Sequence, residues 1–415
     1  MPPSHRFIKT RLALMMFLQY VVMGAVWPVM SLYLRQVLGL SGTQTGTVLA
    51  LSAVGAFVAP AVGACVADRL ISAERLLSLC HFGAAAFMGL ILRQTGFETV
   101  LPCYLGYAVC MGSTVALTNA IAFHHAPQGQ RRFGNIRVWG TIGWVTVAWG
   151  FGALWLQDLD GAGPASHLPG ALRFSVWASL VLGLYGLSLP RVDKRIQGPI
   201  RLLPRESMRV FMKPQVLLMA AAGYLVGTVD RYYYFGMALY LKDLGYTEGQ
   251  IMPMMSAGQI TEMVAMCLLA WFLARLGTKR TLLLGLLAEI GRFSAFAFGS
   301  SNFLVLMGNA CHGLAFAFFF TSLYITIDSY CDTQSRTGLH QLFTIATSSL
   351  GALTANLLGG WCLDHFVRAS TQTQPDYRGF WLVPTVISCV CFVLIALFFK
   401  EPDDSDPLQE VPRTG

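Results

Sequence analysis

The sequence predicts an all-helical membrane protein with twelve transmembrane helices in two six-helix halves. Three observations carry that prediction. Apolar runs of about twenty residues, the length that spans a bilayer, recur along the whole 415-residue chain. Hydrophobic residues make up 55% and charged residues only 12%, with a mean hydropathy of +0.56; soluble chains are about 25% charged. A loop pattern also returns about half a chain later: Ala67-Asp68-Arg69-Leu70 is echoed by Ala274-Arg275-Leu276-Gly277.

In chain order the spans are expected at 12–34, 43–66, 74–94, 98–124, 133–156, 170–189, 214–241, 249–275, 279–299, 302–328, 337–364 and 379–400. Cations crowd the termini and even-numbered loops: Arg6, Lys9, Arg11, Arg69, Arg75, Arg131, Arg132, Arg275, Lys279, Arg280 and Arg336, with more between Pro190 and Pro214. The odd-numbered loops hold only Arg35, Arg93, Lys242, Arg368 and Arg378. Positively charged loops stay cytoplasmic, so both termini are expected there. The net charge of +8 therefore reads as a topology signal, and no nucleic-acid partner is expected. The halves are expected at 1–189 and 214–400, joined by a cytoplasmic linker over 190–213. Residues 201–213 offer either a short surface helix or coil, and 401–415 form a polar tail. The first apolar run is too long for a cleavable leader. The ten cysteines lack a CxxC pair and lie mostly within apolar runs, where they pack.

Ionisable and amide side chains inside spans are candidate site residues, because lipid tolerates them poorly. Arg137, Thr141 and Trp144 fall at i, i+4 and i+7, on one helix face. An arginine in mid-membrane costs roughly 2.5–3.5 kcal/mol on insertion scales, so it faces a cavity or a partner, or it snorkels from near the helix end. Gln259 and Glu262 share a face of the eighth span, and Glu262 is the acid placed to exchange a proton. Asp230 and Arg231 are adjacent and point different ways, so they are not expected to pair. Glu289 and Arg292, at i and i+3, are expected to form a structural ion pair. Asn119, Tyr234, Phe316 and Gln19 complete the candidate set; roles for Asp230, Arg231, His312 and His340 are left unassigned. No nucleophile–base set, phosphate loop or metal-ligand cluster stands at working spacing, so neither an enzyme nor a cofactor is expected.

Gly63-x-x-x-Ala67-Asp68-Arg69, followed by Glu74-Arg75, resembles the loop signature of the major facilitator superfamily. That resemblance implies two bundles with a substrate site near the midplane, and a cytoplasmic gate of Asp68, Arg69 and Arg75. Three further stretches are similar to the bacterial nucleoside:proton symporter branch: Ala116–Phe123 (ALTNAIAF), Ile136–Trp144 (IRVWGTIGW) and Gln259–Glu262 (QITE). The resemblance implies substrate contacts at Arg137, Thr141, Trp144, Gln259 and Glu262, with Glu262 and Arg137 coupling transport to a proton. It implies a monomeric carrier in a bacterial inner membrane whose partners are a small solute, a proton and lipid. The chain departs from that pattern at Phe316-Ala317, where the branch has an acid, and at Arg231, Tyr234 and His340, where it has amides. Losing an acid and gaining bases shifts the site toward positive charge. A sugar, glycoside or aromatic-acid carrier, and a ligand sensor that does not transport, therefore stand as alternatives.

Overall fold

The computed structural model describes residues 5–62, 71–125, 130–154, 167–191, 205–299, 301–331, 335–367 and 375–401. The gate residues Asp68 and Arg69, linker residues 192–204 and the tail beyond 401 lie outside them. Within the described residues each apolar run is helical, as lipid requires: with no water to bond N–H and C=O groups, a span must satisfy them internally. The first six runs form α1 (His5–Val26), α2 (Met30–Gln36), α3 (Gly42–Ala50), α4 (Ser52–Val62), α5 (Ala73–Ile91), α6 (Phe97–His124), α7 (Gln130–Leu154) and α8 (Leu168–Ser188). The linker contributes α9 (Arg205–Phe211), so a short helix forms within 201–213, and Ser207 Oγ donates to Ser335 O at 3.0 Å. The remaining runs form α10 (Pro214–Asp243), α11 (Glu248–Phe298), α12 (Asn302–Ala315), α13 (Ser322–Ser329), α14 (Arg336–Thr344), α15 (Gly351–Cys362) and α16 (Arg378–Phe398).

The first expected span is two helices. Pro28 supplies no N–H and interrupts the ladder between α1 and α2. The eighth and ninth runs are joined in α11, whose direction changes at Gly277 (φ 78°, ψ 173°). That backbone region is essentially glycine-only. Glu401 caps the far side, accepting from Lys279 N at 2.8 Å, and its Oε1 lies 2.8 Å from where a Cβ on Gly277 would stand. Gly277→Val is expected to cost roughly 1–3 kcal/mol, read as a lower melting temperature in detergent. An unchanged melt would show that the corner relaxes freely.

Among the described residues, eight helical stretches are long and apolar enough to cross a membrane, and α11 counts once although it holds two of the expected runs. Helices α7 and α10, rich in Gly, Trp, Tyr and charge, fall outside that set, and both carry candidate site residues.

By packing, the chain forms two compact units. The first comprises Met1–Ile200, Tyr232–Ser256 and Ala352–Pro375. Here α1 lies against α7 and α8, α5 against α6 and α8, and α4 against α6. Small residues permit these close crossings: a Cβ at Gly143 would strike the Phe17 backbone, and one at Gly55 the Ala108 carbonyl. Ser41 and Gln44 cap α3 reciprocally. Asp364 adds a cap from far along the sequence, accepting from Gly42 N (2.8 Å), Thr43 N (2.7 Å) and Thr43 Oγ1 (2.9 Å). The second unit comprises Arg201–Arg231, Ala257–Gly351 and Asp376–Gly415. Its core includes Phe293, Phe296 and Trp381, all buried and mutually packed.

Candidate functional site

In the first unit, the expected α7 face is present and furnished. The Arg137 guanidinium lies 4.2 Å from the Tyr20 ring centroid, a cation–π contact that holds a half-buried cation away from lipid. Gly140 makes room for it, since a Cβ there would come within 2.9 Å of Arg137 Nη1. One turn on, Thr141 is half-buried, and Trp144 is 9% exposed. Trp144 meets Trp27 edge-on at 6.2 Å and Tyr234 at 6.5 Å. The structure thus brings Arg137 to Tyr20 and Trp144 to Tyr234, leaving aromatic faces beside a fixed positive charge. Asn119 is half-buried on α6.

Gln19 is placed differently. It is fully buried, and its Nε2 donates to Thr114 Oγ1 at 2.8 Å. Its Oε1 lies 2.9 Å from His81 Nε2. An amide oxygen only accepts, so His81 carries its proton on Nε2. With both ends of the amide engaged in the packed interior, Gln19 knits α1, α5 and α6 together. It is next to Tyr20 in sequence, yet consecutive helix residues face different ways.

In the second unit, a cavity of about 310 Å³ is lined by Gly227, Asp230 and Arg231 of α10, by Tyr324 of α13, and by two π-helical segments. These segments are Phe316–Thr321, contributing Phe316, Phe320 and Thr321, and Ile345–Leu350, contributing Thr347 and Ser348. π-Helical turns recur at functional sites because they break the 3.6-residue register and redirect side chains. Gly227 lets α10 approach closely: a Cβ there would collide with the Thr347 carbonyl. The cavity offers aromatic faces, three hydroxyl-bearing side chains besides a tyrosine-like wall at Tyr324, an acid and a guanidinium. Phe316 lines it as expected; Gln259 and Glu262 lie on the neighbouring α11. Gln259 is 9% exposed and Glu262 half-buried. Their helix is pressed onto α12 at Gly313, where a Cβ would strike Glu262 N, and Thr261 Oγ1 donates to Ala310 O at 2.6 Å.

The expectation that Asp230 and Arg231 do not pair is corrected. Arg231 Nε comes within 4.0 Å of Asp230 Oδ2, a distance the long guanidinium side chain spans although the two residues are adjacent. The Glu289–Arg292 pair forms, with Arg292 Nη1 donating to both carboxylate oxygens at 3.1 and 3.2 Å. His340 Nε2 lies 2.8 Å from Asp328 Oδ1, its ring stacks on Tyr324, and Arg336 binds the same carboxylate through both oxygens. The ligand atoms of Asp328, Cys331 and His340 lie within 4.8 Å of one another. Arg336 already supplies the positive charge there, and a cation would have to displace it. Arg75, expected at the gate, is exposed at the start of α5. Sequence reasoning missed Phe320, Thr321, Tyr324, Thr347 and Ser348; hydroxyl-bearing residues in the tenth and eleventh spans were the available signal.

Comparison with known proteins places this geometry in context. A family model described as Nucleoside H+ symporter matches residues 7–404. The candidate nucleoside transporter YegT of Escherichia coli (strain K12) is 28% identical over 405 residues, 95% of this chain and 94% of its own. A xanthosine permease of the same organism is 25% identical over 420 residues, covering 96% and 97% of the two chains. The crystal structure of the nucleoside transporter NupG superposes with a TM-score of 0.82 at 23% identity, covering 95% of this chain and 100% of that one.

Proposed function

Since the chain belongs to the nucleoside H+ symporter family, with the major facilitator fold of helical carriers, we propose that it moves a nucleoside together with a proton by alternating access. It is a multi-pass membrane carrier and not an enzyme. The observation that supports this reading best is the α7 face: a guanidinium set over Tyr20, with Thr141 and Trp144 along the same stripe. A ring-and-ribose solute offers what that face takes, namely a flat π-system to stack and acceptors for a guanidinium.

In this reading Arg137, Thr141, Trp144, Asn119 and Tyr234 contact the solute, as do Gln259, Glu262 and Phe316. Glu262 exchanges its proton as Arg137 and the solute engage. Gln19 is left out of the contact set, because its amide is occupied. Asp68, Arg69 and Arg75 act as a cytoplasmic gate, and the halves 1–189 and 214–400 rock about the solute. The carrier sits as a monomer in a bacterial inner membrane with both termini in the cytoplasm.

Uptake of labelled uridine, adenosine and xanthosine into cells, with and without an uncoupler, tests the reading. Uptake above the empty-vector level that collapses with uncoupler, and in Glu262→Gln, is the expected result. Uptake indifferent to both would remove the coupling claim, and no uptake would remove the cargo. A xanthosine permease among the relatives, and the positive charge of Arg231 at the cavity wall, support ranking the acidic base of xanthosine first within that panel.

A further inference from the structure

The second unit holds a charged network that contact with a neutral solute does not require. Asp230, 8% exposed, places Oδ1 3.6 Å from His312 Nδ1 and Oδ2 4.0 Å from Arg231 Nε. Deeper in the unit, Glu289 and Arg292 are fully sequestered in their own pair. Arg292 also acts electrostatically on Asp230 and His312. The other titratable groups around this cluster are Cys311 on α12 and Tyr324 at the cavity wall.

The two ion pairs differ in kind. Glu289–Arg292 is short, doubly bonded and closed to solvent, so it holds a fixed charge state. Asp230 is looser on both sides, sits at the wall of a cavity, and shares its carboxylate between an imidazole and a guanidinium. Two carboxylates and two guanidiniums cancel. An additional proton is accommodated where a carboxylate and an imidazole face each other, since either accepts it and the other stabilises it. Arg231 is the more open partner, its side chain one-third exposed at the wall of the same cavity.

Building on the symport reading above, we propose that Asp230 and His312 form a second proton station, whose occupancy decides whether Arg231 is held by Asp230 or turned to the solute. With the station empty, the Asp230 carboxylate holds the guanidinium. A proton arriving from cavity water binds the pair and cancels that carboxylate's charge. Arg231 then turns from Asp230 and donates to an acceptor on the solute. When the proton leaves, Asp230 reclaims Arg231 and the solute loses its partner. Proton and solute thus favour each other's binding, and linkage makes the effect reciprocal.

The test uses purified full-length carrier in proteoliposomes, with labelled uridine, adenosine and xanthosine. A gradient of about one pH unit supports about tenfold accumulation for one proton per solute. Wild type, with both stations, is expected to approach the level for two protons per solute, about a hundredfold. Asp230→Asn, which keeps the Glu262 station, is expected to accumulate about tenfold less, with counterflow still measurable. Asp230→Glu, which restores a titratable carboxyl, is expected to accumulate solute with a displaced pH midpoint. Wild-type accumulation by Asp230→Asn overturns the proposal. If that variant does not fold, an unshifted pH profile in Asp230→Glu overturns it instead. Wild type that carries none of the three solutes sinks the symport reading itself, and the station with it.

Discussion

Glu289→Ala is expected to destabilise the protein by roughly 3–5 kcal/mol, the range for breaking a buried ion pair from one side. Glu289 is 1% exposed and Arg292 is not exposed at all. Arg292 Nη1 reaches both carboxylate oxygens, and its guanidinium lies 4.9 Å from the Phe293 ring centroid. Removing the carboxylate leaves a fully buried cation against the Phe293 ring with its hydrogen-bonded opposite charge gone. The cost is that of the stranded charge, not the intrinsic worth of the pair. Removing both partners is therefore expected to be far milder: Glu289→Leu with Arg292→Leu should recover most of the loss, as apolar replacements of buried pairs often do. Thermal melts in detergent read both effects, with a fall in Tm on the order of 10 °C for the single variant. A single variant melting with wild type would show that water reaches Arg292, and would remove the distinction drawn between a closed pair and an open one at Asp230.

Particular residues show what a sequence of this kind discloses. Span positions are legible because lipid imposes the same demand on every segment, and a run of twenty apolar residues meets it alone. The Glu289–Arg292 pair is legible because i, i+3 neighbours meet within one helix. The Arg137, Thr141 and Trp144 stripe follows from the same periodicity. The pairing of Asp230 with His312 is not legible, because it depends on how α10 and α12 are rotated against each other. Gly258 against His312 seats α12 on α11, and Gly227 against Thr347 seats α10 on the second π-helical segment, contacts no local spacing announces. The π-helical segments hide more. Each inserts about one residue into the helical register, turning everything beyond it by about 100°. A face projected from the residues before Phe316 therefore misplaces Tyr324, and one projected across Ile345 misplaces Thr347 and Ser348. Gln19 fails for a different reason: a lone amide in an apolar span reads the same whether it meets a solute or, as here, Thr114 and His81.

Arg137→Ala is expected to lower nucleoside uptake by about 100-fold or more. A charge-assisted hydrogen bond contributes about 1.5–3 kcal/mol, so losing a two-pronged contact corresponds to a factor of roughly 100 in affinity. Arg137→Lys is expected to recover only a minor part. Lysine keeps the charge but has neither the planar fork nor the flat face that lies on Tyr20. Tyr20→Leu separates the two contributions: it leaves the guanidinium in place and removes only the platform, a loss of about 0.5–2 kcal/mol, or some 2- to 30-fold. Melting temperature with and without xanthosine distinguishes lost binding from lost folding, because a bound solute raises apparent stability only where the site survives. The expected pattern is an Arg137→Ala protein that melts near wild type yet gains nothing from solute. Full uptake and a full solute-induced rise in Arg137→Ala would mean that Tyr20 holds this cation for packing alone, and the α7 face would lose its place in the carrier's chemistry.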